Sequence, residues 1–281
     1  MERLPRITVA VNGARRGKAD HPALPVTLPE IADCAAACHR AGAGGIHLHV
    51  RDAQGRHVLD SELSMRAVAA VAEATDGAMH VQVTTEAAGR YDVEAQRAFL
   101  AALRAPAVSV ALREFLPHAG EETASARALD AAVRRGVALQ YILYVPAEIA
   151  RLDDLIARGV LPDEGLDVLF VLGRYGGGDS DPALLADYLA RWRASGLAAR
   201  GEWMACAFGP PETRALAAAL AMGGKARVGF ENNLCNADGT PARDNAARVS
   251  EIAAVARSMG AEAPPAPQTA PARPASPAAP A

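Results

Sequence analysis

Charge of one sign is missing from this sequence. Its 29 Lys and Arg residues stand against 32 Asp and Glu, a formal net charge of −3. There is no basic excess to displace counterions from nucleic acid, so nucleic acid is not expected as a partner. Also missing is any apolar run of the roughly 18 to 20 residues that a transmembrane helix needs, so no membrane is expected. The first residues, Met1-Glu2-Arg3-Leu4-Pro5-Arg6, pass into a strand-like segment without the apolar core of a secretory signal. The cytoplasm is therefore the expected compartment. Cys34, Cys38, Cys206 and Cys235 form no C-x-x-C pair, and no secretory context points to disulfides. Cys34 and Cys38, one helical turn apart, read as small apolar residues of an Ala-rich helix, with shared metal ligation as the alternative. A Gly-rich dinucleotide fingerprint is absent too. The segment Asn12-Gly13-Ala14-Arg15-Arg16-Gly17 does not fit one, which argues against a doubly wound open sheet.

What the chain has in quantity is apolar and Ala-rich helical sequence, 51% hydrophobic over 281 residues. That accommodates one α/β barrel, which takes about 250 residues, with a short tail left over. Short β-branched runs at 7–12, 45–50, 79–85, 107–112, 138–144, 167–173, 202–208 and 226–231 read as strands. Amphipathic runs at 29–41, 61–74, 93–103, 121–135, 147–158, 182–195, 211–222 and 242–259 read as helices. Thr27 near Pro29, Ser61, and Asp181 before Pro182 mark helix starts, and Gly136, Gly159 and Gly196 follow helix ends. Eight strand–helix units predict an α/β fold of the (β/α)8 TIM-barrel type over residues 1–260. Residues 261–281, rich in Ala and Pro without apolar periodicity, are expected to be a disordered tail or flexible arm.

In a barrel, chemistry sits where strands end and βα loops begin. The second strand reads Gly45-Ile46-His47-Leu48-His49-Val50-Arg51. Residues two apart share a strand face, so His47 and His49 project together, and two imidazoles are costly to bury idle. The eighth strand ends Arg227-Val228-Gly229-Phe230-Glu231-Asn232-Asn233. In a closed barrel it lies two strands from the second, so Glu231 can join the two histidines. Two His and one carboxylate suit zinc, iron(II), manganese or cobalt. The competing readings are hydrogen-bonded core histidines and a loop-anchoring carboxylate. Arg227 shares the face of Glu231 by the same period-two argument. It is placed to hold a substrate carboxylate, or else to pair with Glu231 or Glu202. Thr84 and Thr85 end the third strand and Ser109 sits on the fourth, as substrate contacts or as turn caps. Gly176-Gly177-Gly178-Asp179-Ser180 offers backbone amides to a phosphate, or is a plain loop.

These residues, in this order, resemble the β-keto acid cleavage enzymes, the family of 3-keto-5-aminohexanoate cleavage enzyme. The likeness runs from about Ile7 to Met259. It is carried by Asn12-Gly13-Ala14, His21-Pro22-Ala23-Leu24-Pro25-Val26-Thr27, and Ala41-Gly42-Ala43 leading into His47-Leu48-His49-Val50-Arg51. It continues through Gln82-Val83-Thr84-Thr85 and Phe170-Val171-Leu172-Gly173 to Gly224-Lys225-Ala226-Arg227-Val228-Gly229-Phe230-Glu231-Asn232-Asn233. The resemblance implies zinc on His47, His49 and Glu231. It implies a retro-Claisen exchange in which a β-keto acid and the co-substrate acetyl-CoA give acetoacetate and a new acyl-CoA. It implies a homo-oligomer, a tetramer. Arg227 aligns with the family's active-site arginine, Thr84 with a serine and Ser109 with a threonine.

Three departures matter. The family's Asp after the zinc-ligand Glu is Asn232 here, and an amide cannot accept a proton at neutral pH. A Glu used in some members aligns with Arg15, which reverses the charge and disfavours an aminated substrate. An acidic residue of the fifth strand aligns near Ile142, with Gln140 and Tyr144 close by. The expectation is therefore a metal-dependent cleavage enzyme of altered specificity. Catalysis is placed at Arg227, Asn232 and Thr84, with Ser109, Arg15, Thr85 and Tyr144 on the substrate. The alternatives are a CoA-independent lyase or hydrolase acting on a keto acid, and a catalytically weak metal-binding barrel.

Overall fold

The computed structural model describes residues 4–163, 165–176 and 180–259. The expected tail from 261 and residues 177–179 of the Gly-rich loop lie outside them. Eight parallel strands form in chain order: β1 (Ile7–Ala10), β2 (Gly45–Leu48), β3 (His80–Thr84), β4 (Ala107–Ala111), β5 (Ala138–Leu143), β6 (Asp167–Leu172), β7 (Glu202–Ala207) and β8 (Lys225–Val228). Each pairs with the next, and β8 returns to β1 with Ala226 opposite Ile7, so the sheet closes into a (β/α)8 TIM barrel. Around it run α1 (Leu28–Ala41), α2 (Ser61–Ala74), α3 (Val93–Ala102), the single turn α4 (Leu112–Phe115), α5 (Glu122–Arg134), α6 (Ala147–Ala157), α7 (Leu184–Ala194), α8 (Glu212–Ala221) and α9 (Asn245–Ser258). Among the described residues no helix is long and apolar enough to cross a membrane.

Local chemistry explains most boundaries and corrects some. Thr27 caps α1 through a reciprocal capping box with Glu30, and Pro29 occupies the first turn. Ser61 is not the cap of α2: Asp60 is, accepting from Leu63 N, and Ser61 is already helical. Asp181 accepts from Ala183 N but the regular helix starts later, at Leu184. Gly136 and Gly159 take the left-handed conformation after their helices, whereas Gly196 opens a 3-10 turn instead. Cys34 and Cys38 stack along α1 with Sγ atoms 3.9 Å apart, Cys38 in the core, as the apolar reading held.

The two faces of the barrel wall bury different things. Outward-facing Val9, Ile46, Val108, Val168 and Phe170 fill one continuous core with the helices. Inward, β5–β7 contribute Ile142, Leu169, Val171, Met204 and Cys206. The inner side of β1–β4 and β8 is polar and equally buried: Thr8, His47, Gln82, Thr84, Ser109 and Arg227. Buried polar groups cost stability unless partnered, so this half of the interior is where a site is to be sought.

Candidate metal centre and active site

His47 projects into the barrel from the last turns of β2, and His49 follows just beyond the strand. Asn12, past the end of β1, fixes the second residue by its backbone, donating to His49 O (2.9 Å) and accepting from His49 N (3.1 Å). Gln82 is the register neighbour of His47. Its amide nitrogen is committed to Gln140 Oε1 at 3.1 Å, which turns its oxygen toward His47 Nδ1 at 2.8 Å. That oxygen only accepts, so His47 carries its proton on Nδ1 and presents the Nε2 lone pair to the barrel centre.

The shared face of Arg227 and Glu231 has a different origin from the period of a strand. β8 stops at Val228, and Glu231 stands in a turn closed by Asn232 N and Asn233 N, both donating to Gly229 O at 2.9 Å. Three side chains hold this turn: Glu212 accepts from Gly229 N, Asn245 accepts from Phe230 N, and Arg16 donates to Phe230 O. Gly229 has φ of 139°, and a Cβ there would lie 2.5 Å from Ala10 O. Gly229→Ala is accordingly expected to cost roughly 2–4 kcal/mol of stability, from backbone strain and overpacking together, and to displace Glu231. Denaturant midpoints of variant and parent check this; equal midpoints would contradict it.

The turn delivers Glu231 Oε2 to 3.4 Å from His47 Nε2 and 3.6 Å from His49 Nε2, while the two Nε2 atoms are 3.1 Å apart. Donors about 2.0–2.1 Å from one tetrahedral metal sit about 3.3 Å from each other, the spacing seen here. All three residues are buried, and Glu231 Oε2 has no hydrogen-bond partner. Burial holds His47 down to about 4 and His49 to about 3, so both rings are neutral, as ligation requires. Burial alone would raise the Glu231 carboxyl, but Arg227 and the two histidines hold it well below the usual range. The donor set thus fits a divalent transition metal.

His47 and Glu231 line a cavity of about 380 Å³, together with Arg15, Thr84, Glu86, Ile142, Tyr144 and Arg227, and His49 lies behind them outside its wall. Arg227 spends Nη2 on Glu231 Oε1 (3.2 Å) and Cys206 Sγ (3.6 Å), while its Nε and Nη1 have no partner. Two unmatched N–H groups beside these donors have the chemistry to hold a carboxylate. Thr84 Oγ1 accepts from Glu86 N at 3.0 Å, which leaves its own O–H to donate. Tyr144 lies under the Arg113 guanidinium, 4.5 Å from its ring centre. Thr85 is not at the cavity: neighbouring strand residues face opposite ways, and its hydroxyl donates to Ser109 O at 3.0 Å. Ser109 is opposite Thr84 in the ladder, fully buried, with an unpartnered hydroxyl and no share in the cavity wall. Asn232 is wholly buried beside Glu231, and neither atom of its amide has a partner.

The sequence reading passed over Glu86, Gln82 and His57. Glu86 sits directly after Thr84-Thr85, where a strand-end rule would have found it. Its carboxylate is 3.8 Å from His49 Nε2. Burial first, then Glu231 and Glu114, push it up to about 8. A carboxyl in that state gives and takes protons near neutrality. Gln82 and His57 carry no local signal. They matter because of what the closed barrel sets beside them.

The sequence profile described as beta-keto acid cleavage enzyme matches residues 6–270. The chain is 28% identical over 259 residues to the 3-keto-5-aminohexanoate cleavage enzyme of Acetoanaerobium sticklandii, covering 90% of this chain and 92% of the relative. It is 28% identical over 270 residues to the 3-oxoadipate:acetyl-CoA acetyltransferase of Cupriavidus necator, covering 90% and 89%. Among solved structures, a binary complex of ObcA with oxaloacetate superposes with a TM-score of 0.65 at 18% identity, over 85% of this chain and 65% of that one. Type I 3-dehydroquinate dehydratase from Clostridium difficile does so at 0.58 and 10% identity, over 92% and 93%. At such identities the structural likeness speaks for the barrel alone.

Proposed function

This chain belongs to the β-keto acid cleavage enzyme family, and from that premise we propose that it is a zinc-dependent enzyme exchanging acyl groups between a β-keto acid and acetyl-CoA. The reading is carried by one observation: His47 and Glu231 of the donor triangle line the same cavity as Arg227, whose Nε and Nη1 have no partner. A bound metal would polarise the substrate ketone and stabilise the enolate charge that develops on carbon–carbon cleavage. The chain's own residues do the rest. Arg227 Nε and Nη1 clamp the substrate carboxylate and fix its orientation. Thr84 donates its hydroxyl to a substrate oxygen, and Tyr144 walls the far side. Asn232 follows Glu231 as a buried, unpartnered amide that cannot act as a base.

Specificity follows from the departures. Arg15 lines the cavity, and so do Ile142, Ala111, Val171 and Phe208. A keto acid with an apolar or anionic tail suits that wall, and an aminated tail would meet the Arg15 charge. The names of two relatives, an aminohexanoate cleavage enzyme and an oxoadipate acetyltransferase, bracket this choice. The deciding experiment is turnover of a panel of neutral, dicarboxylic and aminated β-keto acids, with and without acetyl-CoA. Acyl-CoA formation from neutral or dicarboxylic members is expected. Cleavage that proceeds equally without acetyl-CoA would replace this reading with a CoA-independent lyase, which the amide at Asn232 favours.

A further inference from the structure

A second cavity of about 390 Å³ opens beside the first, and its wall belongs to the loops that follow β1, β2 and β3. Five arginines line it, Arg15, Arg16, Arg51, Arg56 and Arg90, and no acidic residue does. Arg56 is paired through Nε with Asp52 at 2.8 Å, an exposed contact of small worth that leaves it a cation at the rim. Among the described residues the other four form no ion pair. They are fixed by groups that carry no charge. Arg16 Nη1 donates to Phe230 O (2.7 Å), Arg51 Nη1 to Gly55 O (2.9 Å) and Nη2 to Arg16 O (3.0 Å), and Arg90 Nη1 to His57 O (2.6 Å). Arg15 lies over the Tyr175 ring, 5.4 Å from its centre. Carbonyls and rings set the direction of a guanidinium without cancelling its charge. Arg51 is only 8% exposed, and its Nε has no partner at all. Four like charges held around one hollow repel each other, and a multiply charged anion removes that cost.

We propose that this cavity is a subsite for phosphate groups, binding a ligand through a phosphoanhydride or phosphate ester. Guanidinium forks match phosphate oxygens in pairs, and several arginines without carboxylate partners suit a group of charge −2 or more. The subsite adjoins the metal centre. Arg15 lines both cavities, and the His57 ring is 5.0 Å from that of His49. A ligand anchored here can therefore place its other end in the cleavage site. The phosphates of the acyl-CoA co-substrate are one source, resting on the function proposed above; a free phosphate-bearing molecule is the other.

The test uses the metal-loaded protein and ADP as the probe, with adenosine as the phosphate-free control and metal content measured before and after. ADP should bind by calorimetry and adenosine should not. Arg56→Gln with Arg90→Gln, both at the rim, should weaken ADP by at least ~10-fold with an unchanged melting temperature. If the phosphates are those of CoA, the double variant also raises KM for acetyl-CoA but not for S-acetylpantetheine. If the source is a free molecule, ADP binding falls and both KM values stay. Either result supports the subsite. ADP binding no better than adenosine, or equal in parent and double variant, overturns it. Absence of any acetyl-CoA turnover would sink the proposed function while leaving the ADP measurement to decide this one.

Discussion

Purified protein is expected to carry about one transition metal per chain, and His47→Ala or His49→Ala to remove it almost completely. The geometry gives the reason. The three donor atoms lie 3.1, 3.4 and 3.6 Å apart, so each ring supplies one corner of a closed triangle. Removing either ring leaves one imidazole and one carboxylate, and that carboxylate is already shared with Arg227. Loss of an outer partner of a metal ligand typically costs ~10- to 100-fold in affinity, so loss of a ligand itself should exceed ~100-fold. Gln82, which sets the tautomer of His47, belongs to the outer class and its loss should have the smaller effect. Elemental analysis after dialysis reads the occupancy, with circular dichroism to establish that each variant is folded. Near-full occupancy in a folded His47→Ala/His49→Ala protein would remove the metal centre from this account. The same analysis identifies the metal, since two imidazoles and a carboxylate accept iron or manganese as well as zinc.

How much of this was legible beforehand depended on whether the signal was local. The alternation of β-branched and Ala-rich segments is local, and it delivered all eight strands and the barrel. The H-x-H pair is local too, because period two is a property of the strand itself. Arg227 and Glu231 were placed together by that same period, but the chain reaches the arrangement by a turn after Val228. The strand rule gave a sound neighbourhood through the wrong backbone. Ser61 and Asp60 compete as caps with equal chemistry, and the choice is made by which side chain reaches Leu63 N. Thr85 failed as a pocket residue for a reason its neighbour states: if Thr84 faces inward, Thr85 cannot. Gln82 was out of reach of any local argument. Its importance comes from lying beside His47 in the ladder and beside Gln140 across the barrel, contacts separated by 35 and 58 residues.

Asn232→Asp should change the reaction more than any other single substitution around the donor triangle that leaves the metal ligands intact. Asn232 is wholly buried against Glu231, its backbone N–H donates to Gly229 O at 2.9 Å, and neither side-chain atom has a partner. The side chain is thus placed and uncommitted. Asp has the same shape, and if the charges of Arg227 and a bound metal reach a carboxylate at this position, they would hold it ionised and able to take a proton. A positioned general base contributes typically ~10²–10⁴-fold. If this chain runs the acetyl-CoA-dependent cleavage with a weakened proton path, Asn232→Asp should raise kcat/KM for simple β-keto acids by at least ~10-fold. If the amide serves a rebuilt site, the added charge repels Glu231 and the native activity should fall instead. The measurement is kcat/KM for parent and variant on the same panel, with metal content determined in both so that altered loading is not mistaken for altered chemistry. An unchanged value at equal metal content would place residue 232 outside the proton path.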